Sequence, residues 1–341
     1  MTLREALETR ALELGFAKLG VAQVEPLGRD DDSLRAWIAA GHHASMQWMH
    51  DTLEVRLRPE SENMLPGAIR IVALATPYAR ADAETGPAPG RVARYARGRD
   101  YHNVVGKRLR KLAKMVREAG YAVRAGVDAL PVLERAWAQR AGLGFIGKNA
   151  CLIIPGLGSH VFLSVLVTDA PLPVDAPMPE RCGSCRLCLD VCPTDAFVSA
   201  RQLDSRKCIS YLTIEHDGPI DVSLREPMGK ELFGCDICQD ICPFNKTKPP
   251  DASTTEPFAP NPRLEIEAAE LLRMDEETFR DWGLGSPLRR AGRAGLARNA
   301  AIVLGNRGDR RHLPVLREAA ETDEDDAVRE AAAWAINQLE T

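Results

Sequence analysis

Residues 182–193 read CGSCRLCLDVCP, a C-x2-C-x2-C-x3-C-P run that limits the fold more than any other stretch. This is the spacing of the bacterial ferredoxins, in which three thiolates hold one 4Fe–4S cube and the fourth crosses to a second. The short intervals let three sulfurs converge, and Pro193 turns the chain away. A second half follows, with Cys208 and then CDICQDICP, carrying Cys235, Cys238 and Cys242 and closed by Pro243. The ferredoxin crossover predicts one cluster on Cys182, Cys185, Cys188 and Cys242. The other would sit on Cys208, Cys235, Cys238 and Cys192. Two zinc sites are the competing reading of C-x2-C pairs, but the paired C-P endings favour the cubes.

The chain has nine cysteines in 341 residues. The ninth, Cys151, stands in an apolar strand and is expected to be a buried core thiol. Glu5, Glu8 and Glu13 make the start unlike a secretory signal, so metal or redox chemistry outweighs disulfides. No apolar run reaches the roughly 20 residues of a membrane helix. A cytoplasmic protein without membrane contact is expected. The net charge of −4 excludes a globally basic nucleic-acid coat but leaves room for a local site.

The first 170 or so residues alternate helical and strand patterns. Helices are predicted over 2–15, 100–119 and 132–141. Strands are predicted over 16–24, 70–78, 122–128, 151–155 and 161–169. PLPVDAPMP (171–179) and the stretch 246–262 read as linkers. Beyond them the pattern is helical over 288–305, 313–320 and 326–339, like HEAT repeats. Two or so units make a stub that must lean on the rest of the protein. The expected architecture is α+β and multidomain: an α/β domain over 1–174, a two-cluster ferredoxin-like domain over 175–250, and a HEAT-like helical domain over 251–341.

Several motifs lead nowhere by themselves. Gly142-x-Gly144-x-x-Gly147 matches the dinucleotide fingerprint, but a helix precedes it and a strand follows, the reverse of the required order. It reads as a tight turn with close backbone approach. Asp100-x-His102 opens a helix and is one residue too long for a cobalt-ligating D-x-H-x-x-G loop, so Asp100 is expected as an N-terminal cap. His42, His43 and His50 are expected on a structural helix. Residues 91–117 hold ten Arg and Lys against one acid, Asp100, and a second basic block spans 289–311. A phosphate-backbone ligand needs such patches, although charge runs are usually solvated faces.

Taken together, RYARGRDYH (94–102), VDALPVLERAWAQRAGLGFIGKN (127–149), the two cysteine runs, LDSRKCISYLTIEHDGPI (203–220) and LRRAGRAGLARNAAIVLGN (288–306) resemble the epoxyqueuosine reductases of tRNA queuosine synthesis. The resemblance runs nearly end to end. It implies a flavin-reductase-like domain holding a base-off cobalamin with no cobalt-ligating histidine. It also implies reduction of epoxyqueuosine in tRNA by two electrons, relayed through two 4Fe–4S clusters from an external low-potential donor. Asp128 would be the proton donor, with a pKa raised by burial under the corrin. Arg56, Ser210 and the Leu152 backbone would touch cobalamin, and Arg289, Arg290, Arg293 and Arg298 would meet tRNA phosphates. A monomer is expected. A reductive dehalogenase is the enzymatic rival, and it would normally carry a twin-arginine signal. A non-catalytic iron–sulfur carrier would leave Asp128 without a role.

Overall fold

The computed structural model describes residues 1–78, 90–246, 256–264 and 266–341. At its N-terminal end is a four-stranded sheet of Lys18–Gln23, Arg70–Pro77, Val161–Thr168 and Val123–Gly126, in that spatial order. Every neighbouring pair is antiparallel, with Arg70 opposite both Gln23 and Thr168. The two central strands are buried on both faces, which is why they read as unbroken apolar runs.

Alternation divides their side chains between two cores. Val72, Leu74 and Leu166 point toward helices Leu3–Glu13 and Tyr101–Glu118, meeting Leu7, Leu109, Leu112 and Val116. Ile71, Ala73, Val165 and Val167 face the other way, against Trp137 of helix Glu134–Arg140. The two helices on the first face begin as the sequence requires. Thr2 and Glu5 form a reciprocal capping box, and Asp100 accepts the His102 N–H at 2.9 Å. Gly144 lies where a Cβ would come within 2.2 Å of the Ile153 carbonyl. The G-x-G-x-x-G stretch is therefore a close backbone crossing. His42 and His43 occupy a turn rather than a helix, and only His50 lies on one, Gln47–Asp51.

The cysteine-rich segment is mostly loop, punctuated by the four-residue helices Leu187–Asp190 and Ile237–Asp240. A parallel pairing of Arg91–Val92 with Glu231–Phe233 joins it to the first domain. Such a short pairing between distant segments has no sequence signature.

Helices Gly292–Arg307, Leu313–Thr322 and Asp326–Glu340 form the C-terminal end. Their core is continuous with that of the preceding segment. Leu296, Ala300 and Val303 belong to the same buried cluster as Ile209, Leu212, Met228, Leu232 and Phe233. The expected separation at 250/251 falls outside the described residues, and packing does not respect it. The helical stub leans on the cysteine-rich segment. Among the described residues, no helix is long and apolar enough to cross a membrane.

Candidate active site

The thiols lie close to one another across both cysteine runs, and Cys238 stands near Cys188 as well as near Cys235 and Cys208. Cys188 lies within the electrostatic reach of Cys182, Cys242 and Cys185, and Cys242 within that of Cys182 and Cys185. Cys235 and Cys238 are similarly close to Cys208, which in turn feels Cys192. Burial pushes the Cys235 thiol up to about 12, and it also raises Cys188, Cys208, Cys238 and Cys242. Thiolates here are unfavourable unless a cationic centre offsets them, which is what a metal cluster does. Among the described residues, no three Cys, His, Asp or Glu side chains converge as one ion requires. A zinc ion would need sulfurs at about 2.3 Å; a four-iron cube spreads its thiolates more widely.

Cys151 lies outside the apolar clusters; the residue is partly exposed but its thiol is enclosed. It sits beside Cys238, on which its charge would act before that of any other cysteine. Burial lifts its thiol to about 11.

A cavity of about 1190 Å³ opens between the sheet domain and residues 199–205 of the cysteine-rich segment. That exceeds the roughly 300–1,000 Å³ usual for small-molecule sites. Tyr78, Tyr101, Leu130, Val132 and Phe162 give it apolar walls, and Arg56, Asp128 and Glu134 give it charge. No histidine is among its described lining residues.

Asp128 ends the turn after strand Val123–Gly126 at φ 56°. Its carboxylate accepts the Tyr101 hydroxyl at 2.6 Å, and its backbone N–H donates to Glu134 Oε1 at 3.0 Å. Tyr101 is fixed by stacking on Phe162 at 4.4 Å, and its hydroxyl is held well above the ordinary tyrosine range by burial and by Asp128. The Asp128 side chain itself is 63% exposed, so the protein alone does not supply the burial expected of it. The raised carboxyl is its neighbour. Burial, then the charge of Asp128, pushes Glu134 up to about 8. His102, hydrogen-bonded to Asp100, is shifted upward and lies 3.9 Å from Asp128.

Arg56 lines the cavity, stacks over Trp48 at 5.2 Å and loses charge stability to burial. Leu152 and Ser210 are not among its lining residues. Leu152 is buried in the sheet core, and the Ser210 N–H turns to the Cys208 sulfur.

The four arginines also separate. Arg289 is exposed, and Arg290 is 59% exposed and forks onto Glu215. Arg293 makes two 2.8 Å bonds to Asp323 in a nearly closed pair. Arg298 is 2% exposed, its guanidinium consumed by the carbonyls of Leu212, His216 and Gly218. It can reach no phosphate: it staples the helical end to the cysteine-rich segment. Tyr101, His102 and Glu134 stood inside the recognised segments with no role given. Their signal, spacing from Asp128 of 27, 26 and 6 residues, means something only once folded.

Three family models match. Residues 56–129 fit the epoxyqueuosine reductase domain QueG (DUF1730), residues 181–245 a 4Fe-4S double cluster binding domain, and residues 284–341 HEAT repeats. The epoxyqueuosine reductase of Xanthomonas campestris pv. campestris is 42% identical over 342 residues, covering 97% of this chain and 95% of that one. The chain belongs to the epoxyqueuosine reductases. It is thus an oxidoreductase with an iron–sulfur domain. A crystal structure of an epoxyqueuosine reductase with a tRNA-Tyr epoxyqueuosine-modified stem loop superposes with a TM-score of 0.91 at 31% identity, covering 99% of this chain and 90% of that one. A Bacillus subtilis epoxyqueuosine reductase, with its catalytic aspartate loop swung out of the active site, scores 0.89 at 31% identity over the same shares.

Proposed function

We propose that this epoxyqueuosine reductase converts epoxyqueuosine in tRNA to queuosine and water, taking two electrons and two protons, with Asp128 as proton donor. The observation that carries the reading is Asp128 itself, held by Tyr101 at the wall of a cavity that adjoins the cysteine-rich segment. The relatives' activity and the tRNA stem loop bound to one of them support the substrate.

The cavity suits cobalamin in volume and in a lining that mixes aromatic and apolar side chains with charged ones. Arg56 and Asp128 would face the group, which when bound supplies a reducible cobalt for opening the epoxide. Two 4Fe–4S clusters would use the two thiol sets that the ferredoxin crossover predicts, fed by an external low-potential donor.

The protein's own part is acid catalysis and positioning. When the epoxide C–O bond breaks, its oxygen becomes an alkoxide that must be protonated, and it leaves as water after a second proton arrives. Asp128 donates across the cavity wall. Tyr101 donates a hydrogen bond to the Asp128 carboxylate and aims it. A bound corrinoid and a tRNA loop would close over Asp128 and supply the burial that the protein alone does not.

Phosphate contacts belong to exposed cations. Arg289 and Arg290 remain candidates. Lys107, Arg110, Lys111 and Lys114, spaced on one side of helix Tyr101–Glu118, join them because that helix starts at the active site. Of these, only Lys114 meets an acid among the described residues, Glu118 at 3.5 Å.

The test reconstitutes clusters and cobalamin, supplies a strong reductant and follows nucleosides from epoxyqueuosine-containing tRNA by mass spectrometry. Queuosine should accumulate with the native chain and fail to accumulate with Asp128→Asn. Full conversion by that variant would refute the donor assignment.

A further inference from the structure

We propose that Glu134 is the positioning residue that latches the Asp128 loop in its acting geometry. The inference rests on the reading of Asp128 as proton donor and deepens it. Asp128 has φ 56°, in the left-handed region that aspartate enters more readily than most residues with a Cβ but still sparsely. It lies in the irregular connection 127–133, between strand Val123–Gly126 and helix Glu134–Arg140. A strained residue on an irregular, half-exposed loop keeps one conformation only if its surroundings fix it.

Two hydrogen bonds do so here. Tyr101 holds the side chain, and Glu134 Oε1 holds the backbone by accepting the Asp128 N–H at 3.0 Å. The Tyr101 bond is made to the side chain and does not hold the Asp128 peptide itself. Glu134 is a rigid anchor because it is the first residue of a helix whose next turn, Ala136, Trp137 and Ala138, is buried in the sheet core.

The electrostatics fit a neutral latch. Burial, then the charge of Asp128, pushes the Glu134 carboxyl up, against the opposing pull of the Asp128 N–H bond itself, Arg135 and Arg56, and Tyr101 also lies close. With its carboxyl pushed up to about 8, Glu134 is mostly protonated at neutral pH. Its carbonyl oxygen still accepts the amide proton, and no second negative charge is set beside Asp128. Glutamine reproduces that state, and alanine removes the acceptor.

The test compares wild type, Glu134→Gln and Glu134→Ala in the full chain by two readouts. One is amide hydrogen exchange of the peptide containing Asp128, read without cofactors or substrate. The other is turnover of epoxyqueuosine-containing tRNA by the reconstituted enzyme. Glu134→Ala should speed exchange at this loop and lower kcat about tenfold, the worth of one hydrogen bond, with KM for tRNA unchanged. Glu134→Gln should restore both. Should the alanine variant not fold, Glu134→Met, with similar bulk and no carboxyl acceptor, carries the same comparison. Unchanged exchange on removing the acceptor, or a glutamine variant as impaired as the alanine one, overturns the latch. Asp128→Asn separates the two readings. If it turns over normally the donor assignment falls, while the exchange result still reports the latch.

Discussion

In the cysteine-rich segment burial lifts five of the thiols, although Cys185 is exposed and most are only half-buried. Cys235 is lifted to about 12, inside loops with little regular structure. At the Asp128 corner the arrangement is inverted: the acting carboxyl is 63% exposed, and its supports Tyr101 and Glu134 are the groups driven up by burial. Burial makes thiolates unfavourable at Cys188, Cys208, Cys235, Cys238 and Cys242, a cost that a metal cluster would offset. On the proposed function, substrate and cofactor would complete the enclosure of the Asp128 carboxylate.

The largest effect should come from the first site. Removing one thiol, as in Cys238→Ala, should abolish turnover and take one cluster's iron and its visible absorbance, while the other cluster stays. Loss of neither would break the comparison. Asp128→Asn should leave the iron content and tRNA binding intact and lower kcat by about 10²–10⁴, the usual contribution of general acid catalysis.

Arg298→Met strikes the staple between the cysteine-rich segment and the helical end. It strands three carbonyls that the guanidinium now satisfies. We expect a loss of about 3–5 kcal/mol in stability, read by denaturant titration. A weakened RNA affinity with unchanged stability would instead mean that the residue meets phosphate. Lys107→Gln with Lys111→Gln should do the reverse, reducing the salt slope of tRNA binding by up to about 0.9 per lost phosphate contact without changing stability.

The smallest effect is at His102. Its folded pKa is raised, chiefly by the hydrogen bond to Asp100. Its contribution is therefore fully present below the unfolded value of about 6.5 and is lost as pH rises through the folded value. Melting of His102→Gln should trail wild type more at pH 5.5 than at pH 8.5. The half-exposed ring keeps the difference small.

Much of this was legible in the chain. Strands 70–77 and 161–168 announced themselves as apolar runs because both faces are covered, and the caps at Thr2 and Asp100 stood where local hydrogen bonding needs them. The grouping of the thiols was read from the ferredoxin crossover, in which each set takes one sulfur from the other cysteine run. Arg298 misled because a basic helix reads alike whether its arginines meet solvent or carbonyls.

Local pattern thus determined the elements, the short cysteine runs and the family motifs, since each depends on residues a few positions apart. Only the tertiary structure decided which arginines are free, that the helical end shares its core with the cysteine-rich segment, and that Asp128 is held between Tyr101 and Glu134. Those outcomes depend on burial and on long-range hydrogen bonds, which exist only once distant segments have packed.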